Sequence, residues 1–114
     1  MGRWVRVPGA ESLAEGEGRR FVLEDGFEVA IFRKDGQYAA LDDTCPHQGA
    51  SLGEGTLHDG RVICPWHGWM FDVTSGACFR VPGISVRVYP ARVAGDAVEI
   101  EIGETDAVAG EARP

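Results

Sequence analysis

The chain has 114 residues, 44 % of them hydrophobic, with a formal charge of −7 at pH 7. That length fits one domain around one modest core. The acid excess argues against a nucleic-acid partner, which needs a basic face to neutralise phosphates. No apolar run approaches the roughly 18 residues of a membrane span. The opening Met1-Gly2-Arg3-Trp4-Val5 lacks the apolar segment of a signal peptide, and Arg6 stands where a myristoylation signal carries Ser or Thr. The expectation is a cytoplasmic protein without a membrane anchor. Its negative surface would suit docking on a positive patch of another protein, and it would equally serve solubility.

In chain order, Trp4 to Val7 alternates and stops at Pro8-Gly9, as an edge strand does. Glu11 to Gly18 is a polar loop with at most one helical turn near Glu11–Leu13. Arg20 to Leu23 predicts a strand, Glu24-Asp25-Gly26 a turn, and Phe27 to Arg33 a strand with Phe27, Val29 and Ile31 on one face. Lys34-Asp35-Gly36 carries the Asp-Gly pair of a tight hairpin, and Gln37 to Leu41 is the returning strand. Ser51 to Asp59 reads as a crossing segment and Arg61 to Ile63 as a short strand, and Trp69 to Asp72 leads on to a bend at Thr74-Ser75-Gly76. Ala77 to Val81 is expected to return, with Ala77-Cys78-Phe79 as a strand, and to end at Pro82-Gly83. A last hairpin pairs Ser85–Val93 with Ala97–Ile102 through Gly95-Asp96, with Val86, Val88, Val98, Ile100 and Ile102 on its core face. The pattern predicts an all-β, antiparallel domain over residues 1–103, and a tail over 104–114 that frays.

The chemistry is concentrated between Cys45 and His67. Cys45-Pro46-His47-Gln48-Gly49 is echoed by Cys64-Pro65-Trp66-His67-Gly68, so each turn offers one thiol and one imidazole. Those donors select zinc, copper or iron–sulfur centres over magnesium or calcium. A Cys₂His₂ set also suits structural zinc. A Cys-x-His turn followed at this distance by Cys-x-x-His is the donor pattern of a Rieske [2Fe–2S] centre, with Cys₂ on one iron and His₂ on the other. Pro46 and Pro65 would stiffen each turn after its cysteine. Gly49 and Gly68 allow close backbone approach, although any tight loop uses Pro and Gly. Of the remaining candidates, Cys78 reads as a small buried hydrophobe and His58 as a solvated loop residue.

Around these turns the chain resembles the Rieske ferredoxin family. The resemblance is carried by Cys45-Pro46-His47-Gln48-Gly49-Ala50-Ser51-Leu52, by Gly60 to Trp69, by Phe71-Asp72 and by the Thr74-Ser75-Gly76 turn. It is specific from about Cys45 to Tyr89, and the last ten or so residues contribute nothing to it. It implies a Rieske fold, in which an antiparallel β-sandwich base carries an inserted cluster-binding subdomain at about 43–81. It also implies one [2Fe–2S] cluster held by Cys45, His47, Cys64 and His67, with the imidazoles at an exposed tip.

With two thiolates and two neutral imidazoles the oxidised site carries no net charge, against about −2 for four thiolates. Rieske centres therefore lie at about −150 to +300 mV, above the roughly −400 mV of plant-type ferredoxins. The high-potential members of the family have a disulfide between the ligand turns and two hydroxyl donors. Here the matching positions are Ala50 and Trp66, and Trp69 and Phe71, so a low potential is expected. Trp66, Trp69, Met70 and Phe71 would wall the site, and Pro82-Gly83 resembles the family's covering proline loop.

The function implied by the resemblance is one-electron transfer from a flavin reductase to a terminal oxygenase, without catalysis by this chain. The small subunit of a nitrite reductase-like complex is the alternative. A zinc-binding structural module and a redox sensor are readings of other classes.

Overall fold

Four consecutive residues, Val29, Ala30, Ile31 and Phe32, are wholly buried, so their strand has a core on each of its faces. The computed structural model describes residues 2–23, 26–45, 50–65, 69–79, 81 and 83–103. The strands are β1 (Gly2–Arg6), β2 (Gly18–Val22), β3 (Glu28–Lys34), β4 (Gln37–Asp42), β5 (Thr56–His58), β6 (Arg61–Ile63), β7 (Met70–Asp72), β8 (Val88–Tyr89), β9 (Ala91–Ala94) and β10 (Ala97–Gly103). They form three antiparallel sheets, ordered β1-β10-β9, β2-β3-β4-β8 and β5-β6-β7. Single 3-10 turns occupy Ala10–Ser12 and Leu52–Glu54.

The middle sheet divides two cores. Val29, Ile31 and Ala40 face Val98, Ile100 and Ile102 of the first sheet, together with Val7 and Leu13 from the segment that follows β1. Ala30, Phe32 and Leu41 face the other way, into a core shared with Cys45, Leu52, Val62, Cys64 and Phe71. Alternation along β3 therefore assigns its side chains to two apolar environments, where an amphipathic strand would put one set in water. Gly18 pairs with Phe32 across β2 and β3, and its missing side chain makes room for the Phe32 ring.

The predicted hairpin at Lys34-Asp35-Gly36 forms, with Asp35 and Gly36 both at positive φ, 55° and 76°. A second such turn at Asp59-Gly60, at 51° and 77°, joins β5 to β6 where a crossing segment was expected. Two expectations fail. Ser85–Val93 is not one strand: Pro90 offers no amide to a ladder, so β8 pairs with β4 and β9 pairs with β10, in different sheets. Val86 and Val88 consequently pack in the second core, and Val98, Ile100 and Ile102 in the first. Ala77-Cys78-Phe79 makes no strand either, only bridges of Cys78 to Phe71 and Ala77 to Ser85. Residues 104–114 lie outside the described residues.

Candidate metal centre

Strand β4 runs out at Asp42 and the chain bends at Asp43 toward Cys45. Thr44 bridges to Ser51, the Leu52 amide donates to the Asp43 carbonyl at 2.7 Å, and the Cys45 amide donates to the Ala50 carbonyl at 2.8 Å. These bonds make 43–52 a short stem that closes a loop of six residues, Cys45 to Ala50. Strands β6 and β7 do the same for the second cysteine. Ile63 pairs with Met70, and the Cys64 amide donates to the Trp69 carbonyl at 2.7 Å. The two loops thus have equal length and are closed by the same bond, from the cysteine N–H to the carbonyl five residues on.

Of the four predicted ligands, Cys45 and Cys64 are described, and both are buried in the second core. His47 and His67 lie outside the described residues, as do Pro46, Gln48, Gly49, Trp66, Gly68 and Pro82. Among the described residues no group of three or more His, Cys, Asp or Glu could hold a metal ion, which leaves two thiols, from two loops, in one dry core. That half-set suits an iron–sulfur centre: soft donors on stiff turns, with water excluded by Ala50, Leu52, Val62 and Phe71. Trp69 packs against the same core.

Cys78 is buried beside Phe71 in this core, as a small hydrophobe would be. His58, at the end of β5, is exposed and lies 3.4 Å from the Asp59 carboxylate. Asp72 closes the turn after β7: its Oδ1 accepts from the Thr74 hydroxyl and from the amides of Thr74 (2.8 Å) and Ser75 (3.1 Å). The Thr74 hydroxyl bond, aided by these amides, holds the Asp72 carboxyl below the ordinary carboxylate range against the effect of burial.

The residue that sequence reasoning missed is Asp43. It is buried, and its Oδ1 accepts from the Ser51 hydroxyl and the Gly53 amide, each at 2.9 Å. Its Oδ2 lies 3.4 Å from Nε of Arg20 on β2. Burial pushes this carboxyl upward, opposed by the Gly53 and Ser51 hydrogen bonds and by the Arg20 charge. Arg20 also pairs with Glu28 of β3, at 2.9 Å, and these two partners, Glu28 foremost, raise its own pKa. In sequence, Asp42-Asp43 looks like any solvated loop, because Arg20 is 23 positions away.

Residues 3–90 match the model of the Rieske [2Fe-2S] domain family. Ferredoxin CarAc of Metapseudomonas resinovorans is 39 % identical over 110 residues, 95 % of this chain and 94 % of that protein. Among solved structures, a chain in a complex of reduced oxygenase and oxidised ferredoxin in carbazole 1,9a-dioxygenase superposes with a TM-score of 0.77. It is 33 % identical, with 85 % of this chain and 91 % of that chain covered. A chain assigned as an NADH-dependent nitrite reductase small subunit from Mycobacterium tuberculosis superposes at 0.81, with 30 % identity and coverage of 90 % and 97 %. Three further relatives are much longer, and this chain spans 17 %, 15 % and 12 % of their lengths.

Proposed function

Because the chain belongs to the Rieske [2Fe–2S] domain family, and so carries a Rieske-type cluster and acts as an electron carrier rather than a catalyst, we propose that Cys45 and Cys64 hold one iron and His47 and His67 the other. The observation that carries this assignment is the pair of buried cysteines at the mouths of two equal loops over one core. When bound, the cluster takes up and gives back one electron at a time. The chain's own part is to keep both thiolates in a water-free wall and to hold each loop shut by its Cys amide bond. The cluster-binding unit is residues 43–81, within a single domain of residues 1–103.

The acceptor is a terminal oxygenase, a reading supported by the oxygenase–ferredoxin complex of the carbazole system, and the electron donor is a flavin-dependent reductase. Among the described residues no helix is long and apolar enough to cross a membrane, which accords with work in the cytoplasm. The similarity to the nitrite reductase small subunit favours a second reading, in which the chain stays bound to a large reductase subunit. The zinc reading of the Cys₂His₂ set gives way to the family's cluster.

A reductive titration with EPR tests the proposal. The expected result is a Rieske signal with a midpoint below about +100 mV, in the lower half of the family's range. Cys45→Ser, His47→Ala, Cys64→Ser and His67→Ala should each abolish the signal and lower bound iron; retention in any one removes that residue from the ligand set. Reoxidation of the reduced protein by an oxygenase while it elutes as a free monomer supports the carrier reading. Co-elution with a large subunit throughout turnover supports the second.

A further inference from the structure

The first ligand loop is fastened to the base by a charge pair. Asp43 is 1 % exposed, the lowest exposure of any described charged residue, and its hydrogen bonds cross the stem of that loop. Its carboxylate takes the Ser51 hydroxyl and the Gly53 amide, and its carbonyl takes the Leu52 amide. One residue thus grips three consecutive residues on the return side, two positions before Cys45. Its other carboxylate oxygen faces Arg20, which β2 holds in place through Glu28 of β3. Beside it, Gly53 rests directly on the backbone of Arg19 and Arg20, where an added Cβ would collide.

We propose that Asp43, anchored by Arg20, is a positioning residue that seats Cys45 and that the two charges together set the reduction potential in opposite senses. This rests on Cys45 being a ligand, as proposed above. Two residues of chain span at most about 7 Å, less than the roughly 8 Å screening length at physiological salt, and Asp43 is shielded from water besides. Reduction adds one negative charge to the site. A buried carboxylate this close along the chain to a ligand opposes it, and the guanidinium favours it. A merely structural staple would behave otherwise: cutting it from either end would loosen the loop and move the potential the same way.

The test compares three variants of the holo-protein by potentiometric titration followed by EPR, with iron release to a chelator as a second readout. Asp43→Asn keeps the shape and an acceptor oxygen while removing the negative charge, and should raise the midpoint. Arg20→Gln should lower it, by less, because the Arg20 side chain is 39 % exposed and its field is partly screened. Ser51→Ala removes one stem bond without altering charge and should leave the midpoint in place. Asp43→Asn should speed iron release about tenfold, the equivalent of one weakened buried hydrogen bond to a charged group.

Midpoints that move in the same direction for Asp43→Asn and Arg20→Gln, or that do not move, overturn the inference. If Asp43→Asn yields no holo-protein, Arg20→Gln and Ser51→Ala decide together: a midpoint lowered in Arg20→Gln and in place in Ser51→Ala supports the inference, and any other combination overturns it. Failure of the ligand assignment is seen separately, as a wild-type-like signal in Cys45→Ser.

Discussion

Gly53→Ala isolates the contact that docks the first ligand loop on the base. Its Cβ would lie 2.7 Å from the Arg19 carbonyl carbon and the Arg20 Cα, and closer still to the Arg20 nitrogen. All three are backbone atoms in a paired strand, so none can swing aside. Restoring ordinary contact with the Arg20 nitrogen moves the 3-10 turn by about 1 Å, which takes the Gly53 amide out of its 2.9 Å bond to Asp43. Overpacking of this kind costs about 1–3 kcal/mol, and the loss of an amide bond to a carboxylate about 1.5–3 kcal/mol. The unfolded chain, stiffened by the new side chain, returns about 0.4–1 kcal/mol. A net loss of about 3 kcal/mol follows. With an unfolding entropy of about 2.1 cal/mol/K per residue, each kcal/mol shifts the midpoint of a chain this long by about 4 °C, so the expected fall is about 12 °C.

Gly36→Ala is the comparison. It stands at φ 76° with nothing within 4 Å of an added Cβ, so it meets only the left-handed backbone cost of about 1–2 kcal/mol. Both variants would be melted as holo-proteins at one scan rate, followed by far-UV circular dichroism and by bleaching of the visible bands. A Gly53→Ala midpoint within about 3 °C of wild type, or above that of Gly36→Ala, would refute the steric argument.

Two further outcomes are expected. Asp72 has a depressed carboxyl, so its contribution is complete above its unfolded pKa near 3.8 and is lost as pH falls through the lower folded value. Asp72→Asn should therefore lower stability by about 0.5–1 kcal/mol at pH 7, allowing for partial exposure, and urea midpoints of variant and wild type should converge as pH drops toward 3. Removal of the iron should release the two loops before the base. Hydrogen exchange at the Cys45, Leu52 and Cys64 amides should then quicken by tenfold or more, while the amides of Val29 to Phe32 keep their protection; uniform loss of protection would show that the two cores unfold as one.

The parts of the structure legible from sequence are those whose cause is local. Asp35-Gly36 forms its hairpin because both residues tolerate positive φ. The two Cys-Pro turns stand out because paired thiols and imidazoles at this spacing point to a metal site, and the structure brings Cys45 and Cys64 into one core. Asp59-Gly60 carried the same hairpin signal, but its arms, β5 and β6, are three residues each, too short for alternation to register. The break at Pro90 was also visible as a residue, yet its consequence depends on which sheets lie on either side, and that is a property of the assembled fold. Asp43 was illegible for a deeper reason. Its burial is decided by Arg20 and by the packing of Gly53 on β2, and its immediate neighbours Asp42 and Thr44 do not distinguish it from the solvated Asp35 or Asp59.

The site depends on the base more than its motif suggests. Each cysteine stands where a paired segment ends, the stem of 43–52 in one case and the β6–β7 hairpin in the other, and each opens a loop closed by the same amide bond. The core between them includes Ala30, Phe32 and Leu41, which belong to the sheet that also walls the opposite core. The positions of the two thiols are therefore fixed by a sheet packed on both faces, where a one-methylene change in volume is felt. The histidines differ: one follows its cysteine by two residues and the other by three, inside loops of equal span. Both loops are nevertheless closed at the same distance from their cysteine. Substitutions in the base, such as Phe32→Ala or Leu41→Ala, should thus disturb the site through the thiolates, even though neither residue belongs to a ligand turn.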